Sequence, residues 1–183
     1  MVQSIVGKLQ NIISSNNWEE KFSAGITSAG QPGIESLDDY YNWLDNLVVW
    51  IPDDKNYRKL LYENICEFYW FLDQPTIKPL QDNSDLFNWM IEFANDWGLF
   101  LNTPESAKHI DSFKKMSNFH IEDYSQNPSG WMTFNQFFAR QVKPGKRPID
   151  ELCNDSVIVS PADCTPVEVD KITNNSIITS KRL

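Results

Sequence analysis

The sequence has 183 residues, of which 41% are hydrophobic and 13% aromatic, with seven Trp. That is enough apolar material for a packed core and excludes a globally disordered chain. The net charge of −9 is unevenly placed: residues 1–123 hold nine Lys/Arg against nineteen Asp/Glu, and residues 124–183 hold seven against six. The acidic front lacks the clustered cations that nucleic acid or an anionic membrane surface requires.

In chain order, Val2, Ile5, Val6, Leu9, Ile12 and Ile13 fall on one face of a first helix. Gly25, Gly30, Pro32 and Gly33 mark a break. Ser36 is placed to cap a second helix over 37–50, with Leu37, Tyr40, Tyr41, Leu44, Leu47 and Val48 inward. A third helix is predicted over 54–72, fenced by Pro75 and Pro79, and a fourth over 84–101. Thr103-Pro104-Glu105 reads as a cap, a Pro at the first helical position and a first-turn acid, opening a fifth helix toward Met116. Together these make an all-helical N-terminal domain over 1–128, most simply a bundle.

Asn127-Pro128-Ser129-Gly130 is the candidate boundary. A short helix follows over 133–140, then Pro144, Gly145 and Pro148 interrupt regular structure. Ser156-Val-Ile-Val-Ser160, the alternating stretch 165–172 and Ser176-Ile-Ile-Thr179 read as short strands. The expected class is therefore α+β: a helical N-terminal domain, then over 129–183 the first strands of an incomplete β-rich domain. Three short strands bury little core alone. Their exposed edges would favour homo-association.

Several chemistries find no support in the residues. The seven Gly are scattered and form no phosphate loop, so no nucleotide cofactor is implied. His109 and His120 stand outside any metal-ligand spacing. Cys66, Cys153 and Cys164 are odd in number, which suits a reducing compartment better than a disulfide framework. No run approaches the ~18 apolar residues of a transmembrane segment, and the N-terminus is unlike a secretory signal. A cytoplasmic protein is the expectation. The many aromatics of the front could line a pocket for a flat ligand; packing at helical spacing accounts for them better. A glycine inside the fourth helix, Gly98, suggests close helix packing.

Arg140, Lys143, Lys146 and Arg147 form a local cationic stretch, with no acid between Asp123 and Asp150. Arg140, Lys143 and Arg147 are candidates for binding an anionic substrate or headgroup. The competing reading is a solvated turn whose arginines hold two domains together.

One compound feature is more specific. Thr133-Phe-Asn-Gln-Phe-Phe-Ala-Arg140 is followed by Arg147-Pro148-Ile149 and then by Ser160-Pro-Ala-Asp163. These resemble the TF-x-x-FF-x-R, RPI and PADG elements of the pyruvoyl-dependent phosphatidylserine decarboxylases, in the same order and at similar spacing. The stretch Asp96-Trp-Gly-Leu-Phe-Leu101 resembles a subgroup with a helical N-terminal region that includes fungal tryptophan decarboxylases.

The resemblance implies a proenzyme that cuts itself at a Gly-Ser bond and converts the new N-terminal serine to a pyruvoyl group. That ketone condenses with the substrate amine and takes up the electrons left as carbon dioxide departs. It also implies that Asp163 is the acid orienting a catalytic base. Cys164 replaces the glycine of that motif, and no Gly-Ser pair occurs in the sequence. The family's His and Gly-Ser elements are expected further downstream. The 183 residues are thus read as an N-terminal portion that lacks the means to form a pyruvoyl group, with the remainder of the catalytic domain as partner. The alternative is a non-catalytic binding or assembly module with a degenerate decarboxylase remnant.

Overall fold

The computed structural model describes residues 4–53, 57–151 and 153–160. The chain divides into two compact units, Met1–Lys143 and Pro144–Leu183. The first is helical: α1 (Ile5–Ser15), α2 (Glu19–Ala29), α3 (Leu37–Leu47), α4 (Tyr57–Leu72), α5 (Ser84–Phe100), α6 (Ile110–Lys114) and α7 (Phe134–Phe138). Short 3-10 turns join them, including Lys78–Asp82 and Pro104–His109.

Local chemistry sets the helix starts. Ser4 Oγ accepts the Gly7 amide at 3.0 Å and opens α1. Ser36 does the same for α3: its Oγ accepts the Asp39 amide at 3.2 Å and donates to Asp39 Oδ2 at 2.7 Å. That reciprocal cap satisfies donors a helix start leaves open. Asn83 Oδ1 takes the amides of Asp85 and Leu86 at the start of α5. Thr103 has the extended backbone of a cap, but its hydroxyl donates to the Phe100 carbonyl instead. The fifth predicted helix is accordingly split into the 3-10 turn and α6.

Helix α2 was not foreseen, because Gly25 and Gly30 read as a break. Gly30 does end it, at φ 60°, the left-handed conformation suited to glycine. Gly25 instead lies inside it for a packing reason. A Cβ there would stand 2.7 Å from Ile77 Cγ1. The close approach expected at Gly98 is absent, since nothing lies within 4 Å of its would-be Cβ.

The main core joins α1, α2, α3, α4 and α5. Tyr40, Phe71 and Phe22 pack ring to ring, with the Tyr40 and Phe71 centroids 4.1 Å apart. Three indoles also bond to distant backbone: Trp89 to the Ile5 carbonyl at 2.8 Å, Trp97 to that of Trp50 at 2.9 Å, and Trp70 to that of Ala29 at 3.1 Å. Each indole contributes apolar area and one directed tie.

A second core gathers Ile51, Leu101, Ile110, Phe113, Phe134 and Phe137. The segment carrying the TFNQFFAR element is thereby packed into the helical unit.

The α+β reading is corrected here: among the described residues the structure is helical and contains no strand. Ser156–Ser160 was expected as the first strand. The amides of Ser156 and Val157 are instead taken by Asn154, through its Oδ1 and its carbonyl, in consecutive turns. The rest of the run is exposed, Ile158 at 97%. β-branched residues favour strands through neighbours to pack against, and among the described residues this run meets none. The strands expected over 165–172 and 176–179 lie outside the described residues.

Candidate functional site

The site is built around α7. Thr133 Oγ1 accepts the Gln136 amide at 3.2 Å, and Gln136 Oε1 accepts the Met132 amide at 2.7 Å. The T-x-x-Q spacing thus acts as a variant of the capping box. Phe134 and Phe137 then point into the second core, while Phe138 is left exposed. Burying each phenyl ring stabilises the unit by roughly 1.5–3 kcal/mol.

Three polar ties hold α7 against the end of α5 and the segment that follows it. The Phe134 amide donates to Ser106 Oγ at 2.8 Å, the Asn135 amide to the Leu101 carbonyl at 3.1 Å, and Asn135 Nδ2 to the Gly98 carbonyl at 3.0 Å. Ser106 is fully buried, and its proton lies between the carbonyls of Leu101, at 2.8 Å, and Thr103, at 2.7 Å.

After α7 the chain doubles back along residues 123–125. Tyr124 and Val142 form an isolated antiparallel bridge, the Ser125 amide donates to the Gln141 carbonyl, and the Lys143 amide donates to that of Asp123. This strap places Arg140 against aromatic rings. Its guanidinium carbon lies 4.4 Å from the ring centre of Tyr124, 4.6 Å from Phe137 and 5.5 Å from Phe119. Nη1 donates to the Phe137 carbonyl at 3.1 Å, and Nε is buried without a hydrogen-bond partner. A planar, weakly hydrated cation suits such stacking better than an ammonium.

Beside Arg140 opens a cleft of about 420 Å³. Its polar lining comes from Ser125, Gln126, Asn127, Gln136 and Gln141. One cation among neutral amides, with no carboxylate in the lining, can receive an anionic or hydrogen-bonding group.

The other candidate residues stand as follows. Lys143 is exposed, and its Nζ donates to the Glu122 carbonyl at 2.8 Å. Arg147 lies in the second unit, exposed, with φ 54°. Asp163 lies outside the described residues. Of the four, the structure brings Arg140 and Lys143 onto the same strap.

Ser106 and Tyr124 were not singled out from the sequence. A buried serine among exposed helix-turn residues gives no local signal. Tyr124 meets Arg140 only through the strap. The Thr133–Gln136 cap was likewise not identified from the sequence, although its T-x-x-Q spacing is the local signal that could have shown it. Among the described residues no group of three His, Cys, Asp or Glu could hold a metal ion.

Comparison with known proteins assigns this segment to a class. Residues 134–183 match the family model for phosphatidylserine decarboxylase, and the matched family is one of carboxy-lyases. The chain is similar to phosphatidylserine decarboxylase proenzyme 2 of Komagataella phaffii, 36% identical over 76 residues, which is 42% of this chain and 8% of that protein. It is 40% identical over 73 residues to the phosphatidylserine decarboxylase proenzyme of Fusobacterium nucleatum, covering 39% of this chain and 24% of the relative. It is 34% identical over 91 residues to that of Clostridium botulinum, covering 50% and 30%.

This chain is therefore phosphatidylserine-decarboxylase-like over its C-terminal part, and it spans between 8% and 30% of the length of these three curated relatives. No solved structure matches it.

The family is pyruvoyl-dependent in general. Nothing among the described residues builds a site for that group. The 183 residues contain no Gly-Ser pair, and among the described residues the lining of the cleft beside Arg140 holds no carboxylate.

Proposed function

We propose that this sequence is the N-terminal portion of a pyruvoyl-dependent decarboxylase of the phosphatidylserine decarboxylase type. In the complete protein the reaction removes the carboxylate of phosphatidylserine, giving phosphatidylethanolamine, or that of a free aromatic amino acid, giving its amine. The observation that carries this reading is the match of residues 134–183 to the family, together with the structural use of the TFNQFFAR element. That element caps, packs and hydrogen-bonds α7 onto the helical unit. The helical part thus serves as the platform from which the catalytic domain begins.

Within this reading the 183 residues alone neither cleave themselves nor decarboxylate. Asp163 serves as the acid that orients a base, and Arg140, Lys143 and Arg147 attract the anionic part of the substrate. The rest of the catalytic domain is the partner. The helical front favours the subgroup that includes fungal tryptophan decarboxylases. A cytoplasmic setting agrees with the finding that no described helix is long and apolar enough to cross a membrane.

The substrate is tested by giving the protein expressed from its whole reading frame carboxyl-labelled phosphatidylserine and carboxyl-labelled tryptophan in parallel. Label released from one assigns the substrate; release from neither overturns the reading. Cys164, in the place of the motif's glycine, favours the second reading, a non-catalytic assembly module. That reading expects no release in either assay.

A further inference from the structure

Arg140 has more hydrogen-bonding capacity than its surroundings use. A guanidinium carries several N–H groups on three nitrogens. Nη1 donates to the Phe137 carbonyl at 3.1 Å, while Nε is buried and donates to nothing. The side chains of residues 119–143 all belong to the described part. Among them, neither Glu122 nor Asp123, the acids nearest to Arg140 in sequence, lines the cleft beside it. A buried donor without a partner is costly. An oxygen bound against the guanidinium edge would remove that cost.

The cation is also held in place before any ligand arrives. Its central carbon lies 4.4 Å from the ring centre of Tyr124 and 4.6 Å from that of Phe137. The strap that carries it is closed by two backbone bonds of 2.8 Å, Ser125 to Gln141 and Lys143 to Asp123. A group fixed in advance loses little freedom on binding. Paired N–H groups along a guanidinium edge match two oxygens that share one charge.

The cleft completes the site. Its volume of about 420 Å³ falls in the range of small-molecule sites. Gln126, Asn127, Gln136 and Gln141 line it with neutral amides, and Trp131 adds an apolar wall. Gln136 Oε1 is taken by the Met132 amide, which leaves its NH2 group as a donor. Gly130, at φ 78°, closes a turn by donating to the Asn127 carbonyl at 2.8 Å. A Cβ there would stand 3.3 Å from Gln126 Nε2, so the glycine leaves room for that side chain. The lining thus offers one positive charge and several uncharged hydrogen-bonding groups. That balance suits a singly charged oxyanion better than a dianion.

We propose, resting on the reading of Arg140 as the residue that attracts an anion, that this cleft binds a small molecule bearing a singly charged oxyanion, a carboxylate or a phosphodiester. The guanidinium edge and the neighbouring amides take the oxygens, and Trp131 takes the apolar body. Binding belongs to the 183 residues themselves and needs no turnover.

The test titrates the nitrogen-15-labelled 183-residue chain with benzoate, dimethyl phosphate and neutral benzamide at constant ionic strength, read by NMR. At least one of the two anions shifts the Arg140 Nε–H resonance and the side-chain amides of Gln126 and Gln141. It binds at least about tenfold more tightly than benzamide, and the tighter anion names the source of the oxyanion. Arg140→Lys keeps the charge without the fork and weakens binding by about tenfold. Gln141→Glu puts a carboxylate into the lining and blocks the anion with the thermal midpoint retained, which separates loss of the site from loss of the fold. No shift with either anion, equal binding of benzamide, shifts confined to other residues, or undiminished binding by Gln141→Glu overturns the proposal. Silence of the whole-frame protein in the labelled-carboxyl assays would leave these shifts in place, so the binding site and the decarboxylase reading fail separately.

Discussion

Ser106 accepts the backbone N–H of Phe134 at 2.8 Å in a site closed to solvent. One serine hydroxyl thereby fixes the first residue of the family-matched segment to the helical unit. Ser106→Ala removes the acceptor without filling its place. The Phe134 amide is left buried without a partner, which costs about 1–3 kcal/mol. Urea unfolding is expected to show a lower midpoint by that amount, with helix content retained below the transition.

Arg140 tests whether the stacking on Tyr124 and Phe137 is structural. Arg140→Lys keeps the charge but loses the planar face, and Arg140→Ala loses both. Stability is expected to fall by about 1 kcal/mol for Lys and about 1–2 kcal/mol for Ala. Equal stability of all three proteins in chemical unfolding would show that the rings do not use the guanidinium.

Two glycines inside helices should respond with opposite signs. Gly25→Ala drives a methyl group to within 2.7 Å of the buried Ile77 side chain, and overpacking of this kind costs about 1–3 kcal/mol. Gly98→Ala meets open space and gains about 0.5–1 kcal/mol from helix propensity. Thermal midpoints of the two variants, measured side by side, decide this.

These glycines also show what the sequence could and could not reveal. Apolar periodicity located α1, α3, α4 and α5, because each buries one face, and Ser36 declared its cap in advance. Gly25 misled because its neighbour Ile77 lies far along the chain, and no local pattern reports that approach. The run Ser156–Ser160 misled for the reverse reason. Its strand propensity was local, and Asn154 took its first two amides into turns. At the candidate site, the short helix was expected over 133–140 and is found as Phe134–Phe138, while its cap and its inward phenylalanines emerged only from the structure. Arg140 was recognised as a candidate, but its ring partner Tyr124 comes from the opposite side of the strap.

Tyr40 is fully buried in the main core, and its hydroxyl has no partner. Burial, with a smaller contribution from Tyr41, pushes its pKa well above 10.0. The folded state therefore keeps a proton that the unfolded chain gives up from about pH 10. The contribution of Tyr40 to stability is constant below that pH and falls as pH rises above it. Tyr40→Phe is expected to match or exceed the parent by up to about 1 kcal/mol at neutral pH, because it removes a buried hydroxyl that bonds to nothing. It is also expected to weaken the alkaline loss, read by urea midpoints at pH 8 and about pH 11.

Release of labelled carbon dioxide from carboxyl-labelled phosphatidylserine and tryptophan bears most directly on the functional account. The assay compares the 183-residue chain with the protein from the whole reading frame, and intact mass is read on both. The account predicts an uncut, silent 183-residue chain, and a self-cleaved whole-frame protein that releases label from one of the two substrates. Turnover or self-cleavage by the 183-residue chain, or silence of the whole-frame protein on both substrates, would contradict it.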